Sequence, residues 1–263
     1  MALSNPWVMA IIVTTVLVAI AFAIPKKLLT PAGYANAWLL GVILWGALGW
    51  QGFVTTLFYF FVGSAVTKVG LAEKEARGIA EARGGMRGPG NVWGSALTGA
   101  VCAIAVVILG AIRLNAGNTI SPDLSTSLLL WSSLFILGFV ASLSTKLSDT
   151  TATEIGKAYG QRTFLITTLQ PVPRGTEGAV SLEGTLAGVV ASVALALLAW
   201  GIGLIPGVGV LICAIAAFGA TTVESLIGAT IEETLDWLTH DLVNIINTTI
   251  GALFAIGIGW FIL

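Results

Sequence analysis

The chain has 263 residues, of which 56% are hydrophobic and only 10% charged, with a formal net charge of −1. A water-soluble domain carries roughly 25% charged residues, so this composition excludes a soluble globular enzyme. The small and balanced charge excludes the basic surface that a nucleic-acid partner needs.

The apolar residues come in long uncharged runs, the pattern of transmembrane helices. Eight are expected, at about 5–24, 31–48, 51–67, 92–112, 127–145, 180–200, 205–223 and 242–263. They make an all-α, polytopic helix bundle that occupies residues 1–263 as a single integral-membrane domain. No basic residue precedes the first run and Lys26 and Lys27 follow it, so it reads as an anchor rather than a cleaved signal peptide. No Arg- and Ser-rich leader is visible, which fits a bacterial protein or a processed organellar one. The second and third runs are joined by a tight turn between Gly46 and Gly52 and could be misread as one long helix.

Charge is shared unevenly between the connecting segments. Lys26 and Lys27 follow the first run. Lys68, Lys74, Arg77, Arg83 and Arg87 lie between the third and fourth. Lys146, Lys157, Arg162 and Arg174 lie between the fifth and sixth. With eight spans all of these fall on one face, and Arg113 alone of twelve basic residues falls on the other; among thirteen carboxylates the exception is Asp123. The positive-inside rule makes the rich face cytoplasmic, or stromal, and puts both termini on the non-cytoplasmic side. Segments 68–91 and 146–179 are then cytoplasmic active-site loops, in a bacterial plasma membrane or a thylakoid.

The segment KVGLAEKEARGIAEARGGMRGP, Lys68 to Pro89, pairs Glu73 with Arg77 at i,i+4 on an Ala-rich helix, which Gly84, Gly85, Gly88 and Pro89 should break. It reads either as a solvated helix or as a basic lid over an anionic substrate. The next charged segment, KLSDTTATEIG from Lys146, prolongs the fifth helix. Ser142, Lys146, Asp149 and Thr153 share one face of it, with Glu154 one residue round. Ionisable groups at membrane depth are costly and usually functional. A carboxylate here suits Mg²⁺, which prefers oxygen ligands and bridges one or two carboxylates to substrate phosphates. Lys146 would neutralise phosphate charge.

In PVPRGTEGAVSLEG, from Pro171, the prolines stop any preceding helix. Gly175, Thr176 and Gly178 are expected to form an anion-binding nest at the start of the sixth helix, with Arg174 adding charge and Ser181 a hydroxyl. The spacing is not that of a Walker A loop. Gly184 and Gly188 look like close helix packing. The seventh helix ends with Glu224 and Ser225 near the apolar zone, Gly228 leaving room beside them; Glu232, Glu233, Asp236 and Asp241 read as solvated. Asn244 and Asn247 open the last helix one turn apart, with Thr248 and Gly251 on a similar face. His240 reads as structural, and Cys102 and Cys213 as buried small hydrophobes. FVGSAVTK, ending at Lys68, and FVASLSTK, ending at Lys146, match at five positions and suggest two helices that each deliver a lysine to one site.

Lysines, an arginine, hydroxyls, a glycine turn and carboxylates together suit a polyphosphate. Phosphoryl transfer needs mainly positioning and charge neutralisation. The near-total lack of such groups on the opposite face, Arg113 and Asp123 apart, argues that a second substrate comes from the lipid.

The runs SDTTATEIG, VPRGTEGAVSLEGTLAG, ESLIGAT and VNIINTTIGA, in that order, resemble the integral-membrane phytyl-phosphate kinase family, prenyl-phosphate kinases of cyanobacteria and plastids with wider uncharacterised transmembrane relatives. The resemblance runs from about Gly41 to the C-terminus and is most specific in GTEGAVSLEGT. It implies a kinase that passes the terminal phosphate of CTP, or another nucleoside triphosphate, to lipid-phase phytyl phosphate, giving phytyl diphosphate for tocopherol and phylloquinone synthesis. This chain has Thr151 where the family often has Trp, and Glu224-Ser225 where it often has Asp-Ser; the carboxylates survive both departures. On this reading Lys146, Asp149 and Lys68 are catalytic. Lys68, Arg174, Gly175, Thr176, Gly178, Ser181, Ser225, Asn244 and Asn247 bind nucleotide or phosphate, and Asp149, Glu154 and Glu224 hold Mg²⁺. A transporter of an anionic substrate and a cytidylyltransferase making a CDP-lipid are the alternatives.

Overall fold

The computed structural model describes residues 5–25, 27–81, 85–117, 120–230 and 237–263. Lys26, Arg83, Gly84, Glu232, Glu233 and Asp236 lie outside the described residues. Among the described residues there are eight α-helices: α1 (Pro6–Ala23), α2 (Pro31–Val66), α3 (Leu71–Ala76), α4 (Pro89–Ala116), α5 (Pro122–Tyr159), α6 (Leu182–Gly201), α7 (Gly207–Thr230) and α8 (His240–Ile262). All but the short α3 are long and apolar enough to cross a membrane. Their starts follow local rules. Asn5, Thr30, Ser121, Ser181 and Thr239 cap α1, α2, α5, α6 and α8 by accepting a first-turn amide, and proline stands in the first turn of α1, α2, α4 and α5.

Helix α2 is two spans. Gly49 breaks it with φ 68° and ψ −165°, which favours glycine. The chain doubles back there: a Cβ on Gly41 would stand 3.0 Å from the ring of Phe53, and Gly33 and Gly63 both abut Arg87. In a straight helix residues 33 and 63 would lie about 45 Å apart. Counting the halves α2a (31–48) and α2b (50–66) gives the eight apolar spans expected.

Helix α5 is the axis. It packs against α2, α4, α6, α7 and α8, and residues 137–149 are buried without a break. Over that stretch the helix is enclosed by its neighbours and carries no lipid face. At 38 residues it runs about 57 Å, well beyond a hydrocarbon core of about 30 Å. Small residues let its neighbours close in. A Cβ on Gly184 would meet the Ala152 carbonyl at 2.5 Å, and one on Gly188 the Ser148 carbonyl at 2.9 Å, so both glycines serve helix packing. Gly251 of α8 abuts Thr145 in the same way. The hydroxyl of Thr98 on α4 lies 3.0 Å from that of Thr248.

The two ends of the bundle differ. The turn at Gly49, the start of α1, the end of α8 and half-exposed Trp7, Trp50, Trp131, Trp200 and Trp260 occupy one end, with the rings of Trp131 and Trp260 tilted against each other 5.1 Å apart. Such an aromatic girdle marks a membrane boundary. At the other end α2b, α5 and α7 finish while α4, α6 and α8 begin. Every described basic residue except Arg113 belongs to that end.

Two local expectations change. Helix α3 stops at Arg77, before the glycines at 84–88. Gly78 takes φ 71°, the Ile79 amide donates to the Lys74 carbonyl and the Gly78 amide to that of Glu75, the double bond of a Schellman ending. The 146–179 segment is not all helix and loop: β1 (Thr163–Leu165) pairs antiparallel with β2 (Ala179–Ser181), Phe164 facing Val180.

Candidate active site at the charged end of the bundle

A cavity of about 360 Å³ opens at the charged end, within the range of small-molecule sites. Its floor is the last four turns of α5. The 175–181 turn and the first turn of α6 form one wall, and α7 from Phe218 to Gly228 forms another; His240 closes a corner. Exposed Phe218 lies in the lining, so an apolar side chain of α7 borders the cavity.

Lys146 is the centre of its polar chemistry. Its ammonium donates to Asp149 Oδ2 and to Asn244 Oδ1, both at 2.5 Å. Lys146 and Asp149 are each 7% exposed and Asn244 2%. The i,i+3 spacing places amine and carboxylate on one helix face. Glu224 comes from α7 into interaction range of both, and Asp149 also feels His240. A cation and two carboxylates thus meet where hydroxyls of Thr153, Thr221 and Ser225 line the same space.

Among the described residues no three His, Cys, Asp or Glu side chains come together as a metal site. Asp149 and Glu224 share the cavity, but Glu154 turns to another partner. Asp149 and Glu224, close enough to hydrogen-bond to each other, suit a Mg²⁺ ion that takes its remaining ligands from water and substrate phosphate; among the described residues no three-carboxylate cage is formed.

Residues 14–252 match the family described as integral membrane protein DUF92. The chain belongs to that family. It is 57% identical to an uncharacterized membrane protein of Synechocystis sp. over 257 residues, 98% of this chain and 93% of the relative. It is 44% identical over 238 residues to Protein VTE6, chloroplastic, of Arabidopsis thaliana, covering 89% of this chain and 66% of the plant protein. An uncharacterized membrane protein of Methanocaldococcus jannaschii is 27% identical over 92% of this chain and 90% of its own. No solved structure matches.

In this DUF92 chain the structure gathers Lys146, Asp149, Glu224, Ser225, Thr176, Gly175, Gly178 and Ser181 around the larger cavity; Asn244 reaches it through Lys146. Other candidates are placed differently. Lys68 follows the end of α2b and is not among the residues that line the cavity around Lys146. Arg174 donates to the Ala158 carbonyl at 3.1 Å and lies 3.5 Å from Glu73: it ties the end of α5 to α3 and stays outside the lining. Glu154 also borders the cavity but is tied to Lys74, both almost wholly buried. Asn247 is buried with neither amide atom hydrogen-bonded and lines no cavity.

The glycine turn is also not at a helix start. β2 intervenes, and α6 is capped by Ser181, whose hydroxyl accepts from the Gly184 amide at 3.1 Å. Gly175 and Gly178 have φ of 86° and 71°, and side chains there would collide with Ile79 and Ala229. Conformation and packing account for both glycines.

Four further residues contribute that sequence patterns do not single out. His240 lines the cavity, although a lone histidine at a helix end carries no spacing signal. Lys157 and Thr150 line it too; Lys157 is legible only as one positive charge among several, and Thr150 follows Asp149 directly. Arg87 stands nearby, its guanidinium 2.8 Å from the Tyr59 hydroxyl.

Proposed function

We propose that this protein is a membrane-embedded prenyl-phosphate kinase. It passes the terminal phosphate of CTP, or another nucleoside triphosphate, to phytyl phosphate and forms phytyl diphosphate. The carrying observation is the buried Lys146–Asp149–Asn244 cluster, joined by Glu224, beside a cavity at the charged end whose lining also includes exposed Phe218. A water-borne triphosphate and a lipid-borne monophosphate need such a junction. The motif resemblance to phytyl-phosphate kinases supplies the substrates, and kinship with the chloroplast protein VTE6 fits a prenyl-lipid role.

An oxygen of the acceptor monophosphate attacks the terminal phosphorus of the donor. A new P–O bond forms as the bond to the bridging oxygen breaks, and the nucleoside diphosphate leaves with the electron pair. The acceptor oxygen is already anionic, so no general base is required. Lys146 neutralises charge gathered on the transferring group and Asn244 orients its ammonium. Asp149 and Glu224 would hold Mg²⁺, which supplies charge neutralisation when bound. Thr176, Ser181 and Ser225 offer hydroxyls to phosphate oxygens. Phe218 and the outer faces of α6 and α7 keep the prenyl chain in lipid. By the positive-inside rule the site faces the cytoplasm or stroma, in a plasma or thylakoid membrane.

The test is product analysis with purified protein, Mg²⁺, phytyl phosphate and each of the four nucleoside triphosphates. Phytyl diphosphate together with nucleoside diphosphate is expected. Release of pyrophosphate with a CDP-lipid would replace the kinase by a cytidylyltransferase. No product, but flux of phytyl phosphate across proteoliposomes, would replace it by a transporter.

A further inference from the structure

A second cavity of about 70 Å³ adjoins the first, lined by Tyr59, Arg87, Asn91, Ser95 and Asn244 among others. Lys146, Thr150, Glu81 and His240 border both, so the partition is about one side chain thick. The smaller space is several times the 10–15 Å³ that one water needs.

Its cationic residues are Arg87 and Lys146, against the single carboxylate of Glu81. Arg87 is held in place rather than paired. One guanidinium nitrogen donates to the Tyr59 hydroxyl at 2.8 Å, and the group lies over the rings of Tyr59 and Phe60. Its backbone bonds to Leu28 and Thr30 anchor the segment. Among the described residues no carboxylate forms an ion pair with it. Gly63 makes room for it: a Cβ there would stand 2.7 Å from Arg87 Nη2. A guanidinium has five N–H donors in a planar fork that matches phosphate oxygens. A partly buried one with no counter-ion calls for an anion.

We propose that Arg87 and Lys146 form a second phosphoryl-binding subsite in the smaller cavity. A phosphate seated there faces the ligand of the larger cavity across Lys146, which neutralises charge on both. The inference rests on the phosphotransfer reading and extends it to Arg87, Ser95 and the second chamber. The ligand chemistry is a phosphoryl group, from either the lipid monophosphate or the nucleotide.

Three variants test it: Arg87→Ala, Arg87→Lys and Ser95→Leu, the last filling the cavity without touching the arginine. Apparent KM is measured for nucleotide and for phytyl phosphate separately, and thermal unfolding with and without inorganic pyrophosphate. Arg87→Ala and Ser95→Leu are expected to raise KM at least tenfold for one substrate, with a smaller rise in Arg87→Lys; the substrate affected identifies the source of the phosphate. Folded Arg87→Ala and Ser95→Leu with both KM values within twofold of wild type would overturn the subsite and leave the kinase reading standing. If wild type transfers no phosphate at all, the kinase reading falls and pyrophosphate decides the subsite alone. Protection against unfolding in wild type that is lost in Ser95→Leu supports it; equal protection, or none in wild type, overturns it. Should Arg87→Ala not fold, Ser95→Leu decides by the same criteria.

Discussion

Lys74 and Glu154 stand 80 residues apart in sequence and form an ion pair whose side chains are 1% and 3% exposed. Lys74 also donates to the Thr67 carbonyl at 2.9 Å. The pair pins α3 and the end of α2b to the last turns of α5, where Glu154 also borders the cavity.

Removing one partner of a buried pair leaves an uncompensated charge, at a cost of about 3–5 kcal/mol, whereas replacing both by apolar groups is often neutral. Lys74→Met and Glu154→Leu alone are each expected to lower the unfolding temperature in detergent, and the double variant to recover most of the loss. The double variant should also keep its kinase activity. A folded but inactive double variant would return Glu154 to the metal-binding set.

Lys146→Met and Asp149→Asn are expected to cut turnover by at least about a hundredfold, the scale for losing one electrostatic contact to a transition state. Both should keep wild-type expression and elution on size exclusion. Asn244→Ala, which removes a hydrogen bond to a charged group, should cost about ten- to a hundredfold. Turnover within twofold of wild type for any of the three would remove that residue from the reaction.

Gly184→Ala and Gly188→Ala drive a methyl into backbone carbonyls of α5. Overpacking of this kind costs about 1–3 kcal/mol. Gly110→Ala on α4 has nothing within 4 Å of the added carbon and is expected to be neutral or mildly stabilising. Thermal unfolding of the three variants side by side checks the contrast.

Cys102 and Cys213 are buried, so the native protein should not react with maleimide until it is denatured. That quiet background allows sidedness to be read with single added cysteines. Gly78→Cys at the charged end should label only from the cytoplasmic side, and Arg113→Cys only from the other. Labelling of both from one side would overturn the eight-span arrangement.

Much of the architecture was legible because the bilayer imposes it. Long uncharged runs fixed the spans, and Gly46, Gly49 and Gly52 flagged the turn that a hydropathy average blurs. The polar face of α5 was legible too, since Lys146 and Asp149 share it by helical periodicity. Partners distant in sequence were not. Lys74 has Glu73 and Glu75 beside it and read as solvated; nothing local points to Glu154. Lys68 and Lys146 are placed differently: Lys146 lies inside the long α5 and lines the cavity, whereas Lys68 follows the end of α2b and is not in its lining. The three-residue strands are too short for an alternating pattern to register. Gly175 and Gly178 read as a phosphate cradle, but left-handed backbone and close neighbours demand glycine there without a ligand.

The interior of α5 has a consequence for how the chain is made. Asn244, the amide that steadies Lys146, is 98 residues downstream, about 5–20 s of ribosome time. Until α8 emerges, the Asp149 carboxylate one turn away cancels the Lys146 charge within the same helix. A nascent α5 can therefore enter the membrane carrying Lys146 without waiting for the rest of its shelter.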